Sequence, residues 1–255
     1  MQTEIINRVI GIGVDKANKS FGRLTAQSVL AGAFIGLGGM LSVMLGYGLC
    51  GLSAENPALQ RLLSGLAFPV GLFLIVMFGG ELFTGNNAML MPGLARRHYS
   101  VGDTLRNWTL VWLGNFTGVL LFTWLFVLGA GLLDGGYCAE ALQRMAVTKT
   151  SLPWLQILLR GIAANWCVCL AVWLGLSATT PGGKALACWV PVATFVILGY
   201  EHCIANMFFI PAGMMAGAAV DMAALGYNLL WATVGNIIGG AVLVGLFFHL
   251  LYFKK

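Results

Sequence analysis

The chain has 255 residues, of which 14 are Lys or Arg and 9 are Asp or Glu; this is a charged fraction of 9%, against roughly 25% in an ordinary soluble domain. Hydrophobic residues make up 59% and the mean hydropathy is +0.86. So little charge cannot clothe a soluble surface, which excludes a soluble enzyme, a nucleic-acid reader and a disordered tail, and leaves an integral membrane protein.

Residues 1–23 are predicted to form a short amphipathic segment lying at the membrane surface. Ile5, Ile6, Val9 and Ile10 fall on one helical face, with Arg8, Asp15 and Lys16 nearby. The opening stretch MQTEIINRVIGIG begins acidic and has no uninterrupted apolar core with a cleavage site, so no signal peptide is expected.

From residue 24 onward the few charges are clustered, and the gaps between them count the spans. Residues 24–54, 107–133 and 161–183 carry no charge, and residues 222–253 carry only His249. Each of these four gaps suits one crossing of about 20 residues. Residues 62–95 carry only Glu81, and residues 185–220 only Glu201 and His202. These two gaps are too long for one straight helix, and each holds a carboxylate near its middle. A crossing interrupted at mid-depth explains both facts. The expectation for residues 24–255 is a single all-α membrane domain of six transmembrane helices, two of them broken.

Six crossings put both termini on one side. Arg8, Lys16, Lys19, Arg23, Arg96, Arg97, Arg106, Lys184, Lys254 and Lys255 collect there, against Arg61, Arg144, Lys149 and Arg160 opposite. The positive-inside rule places both termini in the cytoplasm of a cell inner (plasma) membrane protein. The net charge of +5 then reports topology, not nucleic-acid binding. Six cysteines (Cys50, Cys138, Cys167, Cys169, Cys188 and Cys203) form no C-x-x-C pair and mostly sit in apolar runs, so they read as packing residues, with no metal site expected.

The chain repeats itself. Gly80-Glu81-Leu-Phe-Thr-Gly-Asn86 matches Tyr200-Glu201-His-Cys-Ile-Ala-Asn206 at an offset of 120, and Asn107, Gly114, Asn115 and Gly118 match Asn228, Gly235, Asn236 and Gly239 at 121. Repeats of about 25–133 and 150–253 follow. Each holds three crossings, and an odd number inverts the second half relative to the first. The two broken segments should meet and line a path, since backbone freed from a helix is tolerated in lipid only where it is buried in protein or lines a wet cavity. The Gly-Asn pairs suit close helix packing, with Asn amides available to the breaks.

Glu81, Glu201 and His202 are the ionisable groups at mid-depth, and such groups are functional candidates by default. The two glutamates occupy equivalent positions, which favours a shared loop-stabilising task, accepting N–H groups released at the breaks, over proton transfer. His202 has Leu82 as its repeat partner and breaks the symmetry; at a helix break it reads as pore-lining, though a satisfied core histidine is the alternative. Half-helix N-termini directed inward favour anions, and no acidic ring marks a cation filter.

The segments Glu81-Leu-Phe-Thr-Gly-Asn86, Gly199-Tyr-Glu-His-Cys-Ile-Ala-Asn-Met207, Asn165-Trp-Cys-Val-Cys-Leu-Ala-Val-Trp173 and Gly235-Asn-Ile-Ile-Gly-Gly240 closely resemble the motifs of the formate/nitrite transporter family. The resemblance covers nearly the whole chain. It implies an aquaporin-like inverted repeat, a homo-pentamer with one pore per protomer, and small monovalent anions (hydrosulfide, formate or nitrite) as cargo, without a cofactor. Phe68, Leu72 and Phe195 match one set of constriction positions and Leu82 the other. Thr84 matches the loop residue that contacts cargo, His202 the central histidine, Asn206 its polar neighbour, and Lys149 a lysine that would attract the anion at the outer mouth. The loop Thr148–Pro153 departs from the formate member's pattern, the Asn86-Asn87 pair differs too, and Cys203 replaces a serine of the formate and nitrite members; the whole resembles the hydrosulfide channel branch most, so hydrosulfide is the preferred expectation, with formate or nitrite close behind. A proton-coupled formate or nitrite transporter is the alternative. An aquaporin-like channel for neutral solutes is a second, but the Asn-Pro-Ala caps of that class are absent. One central histidine without a metal-ligand cluster makes an enzyme unlike this chain.

Overall fold

The computed structural model describes residues 2–49, 51, 55–134 and 136–253; Cys50, Lys254 and Lys255 lie outside these. The described chain is helical throughout. Helix α1 (Gln2–Ala17) precedes the first crossing, α2 (Phe21–Tyr47). The second crossing comprises α3 (Pro57–Ala67) and α4 (Val70–Phe78), separated at Pro69, and beyond a break α5 (Phe83–Met89) and α6 (Met91–Ala95). The third is α7 (Val101–Phe122), which runs on into π-helical turns at Thr123–Leu128. Helix α8 (Tyr137–Thr150) leads to the fourth crossing, α9 (Trp154–Ser177). The fifth is again broken, into α10 (Pro181–Ile197) and α11 (Cys203–Met215). The sixth is α12 (Met222–Ile237), continuing through π-helical turns at Ile238–Leu246 into α13 (Phe247–Tyr252).

Five of these helices are long and apolar enough to cross a bilayer unaided, and the fifth crossing is assembled from two shorter apolar pieces. Local chemistry sets the ends. Ser100 and Asp103 form a reciprocal capping box at the start of α7, Thr180 caps α10 with Pro181 in its first turn, and the Asp221 carboxylate accepts the Ala224 N–H to start α12.

Both breaks are made the same way. Gly79 (φ 69°) and Gly199 (φ 71°) take the left-handed conformation at the ends of α4 and α10. The next residue's N–H then turns back onto the helix, Gly80 onto the Ile75 carbonyl at 2.9 Å and Tyr200 onto that of Phe195 at 3.0 Å. This is the Schellman closure that a left-handed residue permits and a side chain opposes.

The first and third crossings pack closely, as do the fourth and sixth. A Cβ at Gly118 would run into the Val29 carbonyl, and one at Gly239 into that of Ile162, so the same helix–helix approach is built twice. The apolar face of α1 is docked, not frayed: Ile5, Ile6 and Val9 are buried against Met89, Cys169, Trp173 and Val244. Helix α8 plays the equivalent part for the second half, because Lys16 of α1 and Lys149 of α8 serve the two breaks alike. The structural repeat therefore takes in α1 and α8, wider than the 25–133 and 150–253 expected from the motifs. The five described cysteines are buried, and Cys167, Cys169, Cys188 and Cys203 are free thiols. The outer faces carry large exposed apolar side chains such as Trp124, Phe126, Leu186, Val190 and Leu250, as suits a lipid-facing surface.

Candidate functional site

The two half-helices α5 and α11 begin at Phe83 and Cys203, three residues before Asn86 and Asn206. Their N-cap residues, Leu82 and His202, line one small cavity of about 10 Å³. Phe68, Leu72, Val192 and Phe195 complete most of its wall. That volume is at the lower bound for a single water, and among the described residues that line it His202 alone has a polar side chain. This is a dry seal toward which both positive helix ends are directed. Phe68 packs edge-on to Phe195 at 5.8 Å between ring centres, and Phe195 stacks on the His202 imidazole at 5.7 Å.

A larger cavity lies on each side of the seal. One, of about 290 Å³ at the α1 end, is lined by Arg8, Lys16, Leu72, Leu82, Asn86, Met89 and Lys184, among others. The other, of about 250 Å³ at the α8 end, is lined by Arg61, Phe68, Lys149, Phe195, His202, Asn206 and Phe209, among others. Leu72 thus stands with Leu82 at the α1 end and Phe68 with Phe195 at the α8 end, a different grouping from the expected one. The basic residues divide between the two ends: Arg8, Lys16 and Lys184 share one cavity, Arg61 and Lys149 the other.

Each break is held by the same polar lattice. The Asn115 side-chain carbonyl accepts the Phe83 N–H at 2.9 Å, while its amide donates to the Ser28 and Glu81 carbonyls, both at 2.8 Å. In the second half Asn236 accepts from the Cys203 N–H at 2.8 Å and donates to the Gly161 and Glu201 carbonyls at 2.8 and 2.9 Å. These two asparagines take up the backbone groups the breaks set free, the demand that made an exposed break untenable.

The glutamates do something else. Expected as caps for backbone N–H groups, they instead accept charged and amide side chains. Glu81 holds Lys16 at 2.8 Å, Lys19 at 2.6 Å and the Asn86 amide at 2.7 Å. Glu201 holds Lys149 at 2.9 Å and the Asn206 amide at 2.6 Å. Both carboxylates are almost fully buried, and a buried carboxylate is stabilised far more by an ammonium than by a neutral N–H. Asn86 and Asn206 pass the network on to Asn107 and Asn228, which donate to the backbone carbonyls of Lys16 and Lys149. Burial pushes the Lys16 ammonium below the ordinary lysine range, against the opposing pull of Glu81. Lys149, expected to attract anions at the mouth, lies in this network with its charge committed to Glu201.

His202 is doubly engaged. Its Nδ1 accepts the Ala205 N–H at 3.1 Å as the cap of α11, and its Nε2 lies 3.0 Å from the Thr84 hydroxyl. A nitrogen that accepts a backbone N–H carries no proton, so the neutral ring is the Nε2–H tautomer and donates from that atom. Thr84, expected to touch cargo, is fully buried behind this bond and lines none of the three cavities. Asn206 lines the α8 cavity, and its Oδ1 has no partner among the described residues.

The motifs do not single out Phe209, Met89, Lys16 and Lys19. Phe209 lines the α8 cavity, 5.7 Å from the Lys149 ammonium, and its repeat partner Met89 lines the other. Their shared offset of 120 is the signal that would have found them. Asn165 also carries a part of its own, donating to the Thr84 carbonyl, Asn87 and the Asn236 carbonyl from behind the first break.

With this geometry in view, a family profile described as Formate/nitrite transporter matches residues 3–250. A relative named as a probable formate transporter, from Methanothermobacter thermautotrophicus, is 36% identical over 94% of this chain and 92% of its own length. A solved structure described as an FNT family ion channel superposes with a TM-score of 0.89 at 31% identity, covering 98% of this chain and 99% of that one. Another, a pentameric formate channel with formate bound, superposes with a TM-score of 0.78 at 30% identity, covering 92% and 98%.

Proposed function

Because the chain belongs to the formate/nitrite transporter family, a family of multi-pass membrane transporters and not of enzymes, we propose that each protomer passes formate, with nitrite as a related cargo, through the path from the α1 cavity to the α8 cavity. The observation that carries this reading is the dry seal with one hydrogen-bond donor. A small, singly charged anion shed of its water meets the His202 imidazole between Phe195 and Leu82, where the Nε2–H must leave the Thr84 hydroxyl to bond it, and no competing carboxylate, since Glu81 and Glu201 are both neutralised by lysines. Basic side chains at both mouths favour anions over neutral solutes.

The expected preference for hydrosulfide has little support. It drew on Cys203, the Asn86-Asn87 pair and the loop Thr148–Pro153, but Cys203 and Asn87 are fully buried and line none of the three cavities, and of the loop Lys149 alone lines one, with its charge held by Glu201. Asn86 touches the α1 cavity only while its amide is held by Glu81 and Asn107. The relative and the ligand-bound structure above are both named for formate.

His202 serves as a donor, not an acid, in this scheme: protonating Nδ1 would first break the cap on α11. Passage is accordingly channel-like, with no fixed proton stoichiometry. The cavity of about 10 Å³ is too small for formate, so Phe195 or Leu82 must swing aside for each passage. Assembly as a pentamer with both termini in the cytoplasm completes the proposal, after the ligand-bound relative and the charge distribution.

The test is flux in proteoliposomes with formate, nitrite and hydrosulfide competing across acidic to neutral pH. Formate and nitrite should pass faster than in empty vesicles and inhibit one another. Hydrosulfide flux well above that of formate would reverse the assignment.

A further inference from the structure

Resting on the reading that this chain passes small monovalent anions, we infer that Arg8 and Lys184 capture the anion at the α1 end of the pore and Arg61, more weakly, at the α8 end, so that flux saturates at lower anion concentration from the α1 side.

The lysines nearest the breaks are spoken for. Lys149 is 2.9 Å from Glu201, while Lys16 and Lys19 share Glu81 at 2.8 and 2.6 Å. An ammonium in contact with a carboxylate projects little field into the neighbouring cavity. The cations lining the two cavities that form no ion pair among the described residues are Arg8 and Lys184 at the α1 end and Arg61 at the α8 end. No Asp or Glu lines either cavity to cancel them.

The two ends therefore differ in charge although the fold repeats. At the α8 end, Lys149 and Glu201 cancel and Arg61 remains. At the α1 end, the second lysine on Glu81 leaves a surplus, to which Arg8 and Lys184 add. Arg8 is held in place by donating from Nη1 to the Leu176 carbonyl at 3.0 Å. The apolar walls supplied by Leu72, Ile75, Val76 and Leu82 focus the field of such charges along the cavity. A single positive charge some 8 Å from the anion in a wet cavity raises its local concentration about twofold, less in high salt.

The experiment uses the full-length channel in planar bilayers with formate as the permeant. In a Lys184→Cys variant, position 184 is modified from one side with a thiol reagent that restores a positive charge (ethylammonium) or installs a negative one (ethylsulfonate). Unmodified wild type given the same reagents is the control. The side from which the reagent acts identifies the α1 end. The sulfonate should raise the half-saturating formate concentration from that side about fourfold relative to the ethylammonium, leave the opposite side unchanged, and lose its effect at high salt. Arg8→Gln should move the same parameter in the same direction, and Arg61→Gln only the parameter of the other side. Equal shifts with both reagents, or wild-type half-saturation equal from the two sides, would overturn the inference. Absence of any formate current in the wild type would instead overturn the transport reading on which it rests.

Discussion

Asn115 and Asn236 hold the same post in opposite halves of the molecule: each accepts the first N–H of a half-helix and donates to a glutamate carbonyl across the break. The equivalence extends to distance, 2.9 against 2.8 Å for the accepted bond. It follows from the inverted repeat, in which the same backbone problem arises twice and is solved by the same side chain.

Replacing either asparagine by Leu therefore orphans two buried backbone groups at the break, an N–H and a glutamate carbonyl. Each orphan costs about 1–3 kcal/mol, so both variants should lose most of their stability, and by similar amounts. Thr117→Ala, whose exposed hydroxyl bonds only within its own helix, should change little. Melting of the detergent-solubilised protein measures this. Two asparagine variants of very different stability would show that the breaks are not held equivalently.

The ion pairs allow a sharper comparison. Lys149→Ala leaves Glu201 buried without its cation, which costs about 3–5 kcal/mol. Adding Glu201→Gln removes the stranded charge while keeping an oxygen for Asn206, so the double variant should be more stable than the single one. Additive losses in a double-mutant cycle would mean that the 2.9 Å contact carries no coupling.

Much of this is legible in the sequence. Charge-free gaps locate the crossings, and the Glu-x4-Asn spacing locates both breaks, because a membrane leaves a carboxylate few places to be. The counterions were not legible. Lys16 and Lys149 serve equivalent glutamates yet lie 133 residues apart, where the motifs repeat at 120, so a search at constant offset passes over them. The difference accumulates along the first crossing, its connection to the second and the stretch from there to the break, each longer than its counterpart in the second half. Nor does sequence tell whether Lys149 faces solvent or a buried carboxylate, since its place at the end of α8 is fixed only when α8 packs against α11. The place of Thr84 is hidden for a related reason: the helix begins at Phe83 and turns its hydroxyl toward His202, away from the cavities.

His202 separates a structural duty from a functional one. Asn is a good N-cap, so His202→Asn should keep the start of α11 within about 1 kcal/mol. It removes the Nε2–H donor from the seal, and formate flux should fall about tenfold, the worth of one hydrogen bond to a charged group. His202→Leu loses both and should melt lower as well. Flux through the Asn variant equal to wild type would show that the imidazole acts only as a cap.

The seal should also set the size limit for cargo. Phe195 is buried between Phe68 and His202, and its ring divides the cavity of about 10 Å³ from the larger one of about 250 Å³. Phe195→Ala removes that partition and joins the two volumes, at about 3–5 kcal/mol in stability if the site does not collapse. Acetate differs from formate by one methyl group, so exclusion of acetate rests on the width of the seal and not on charge. The variant should admit acetate at a rate approaching that of formate, with formate flux itself unchanged or raised. Leu82→Ala, on the α1 side of the same chamber, should relax selection in the same sense. Parallel formate and acetate flux assays give the ratio directly. An unchanged ratio in both variants, with folding intact, would place the size filter elsewhere along the path.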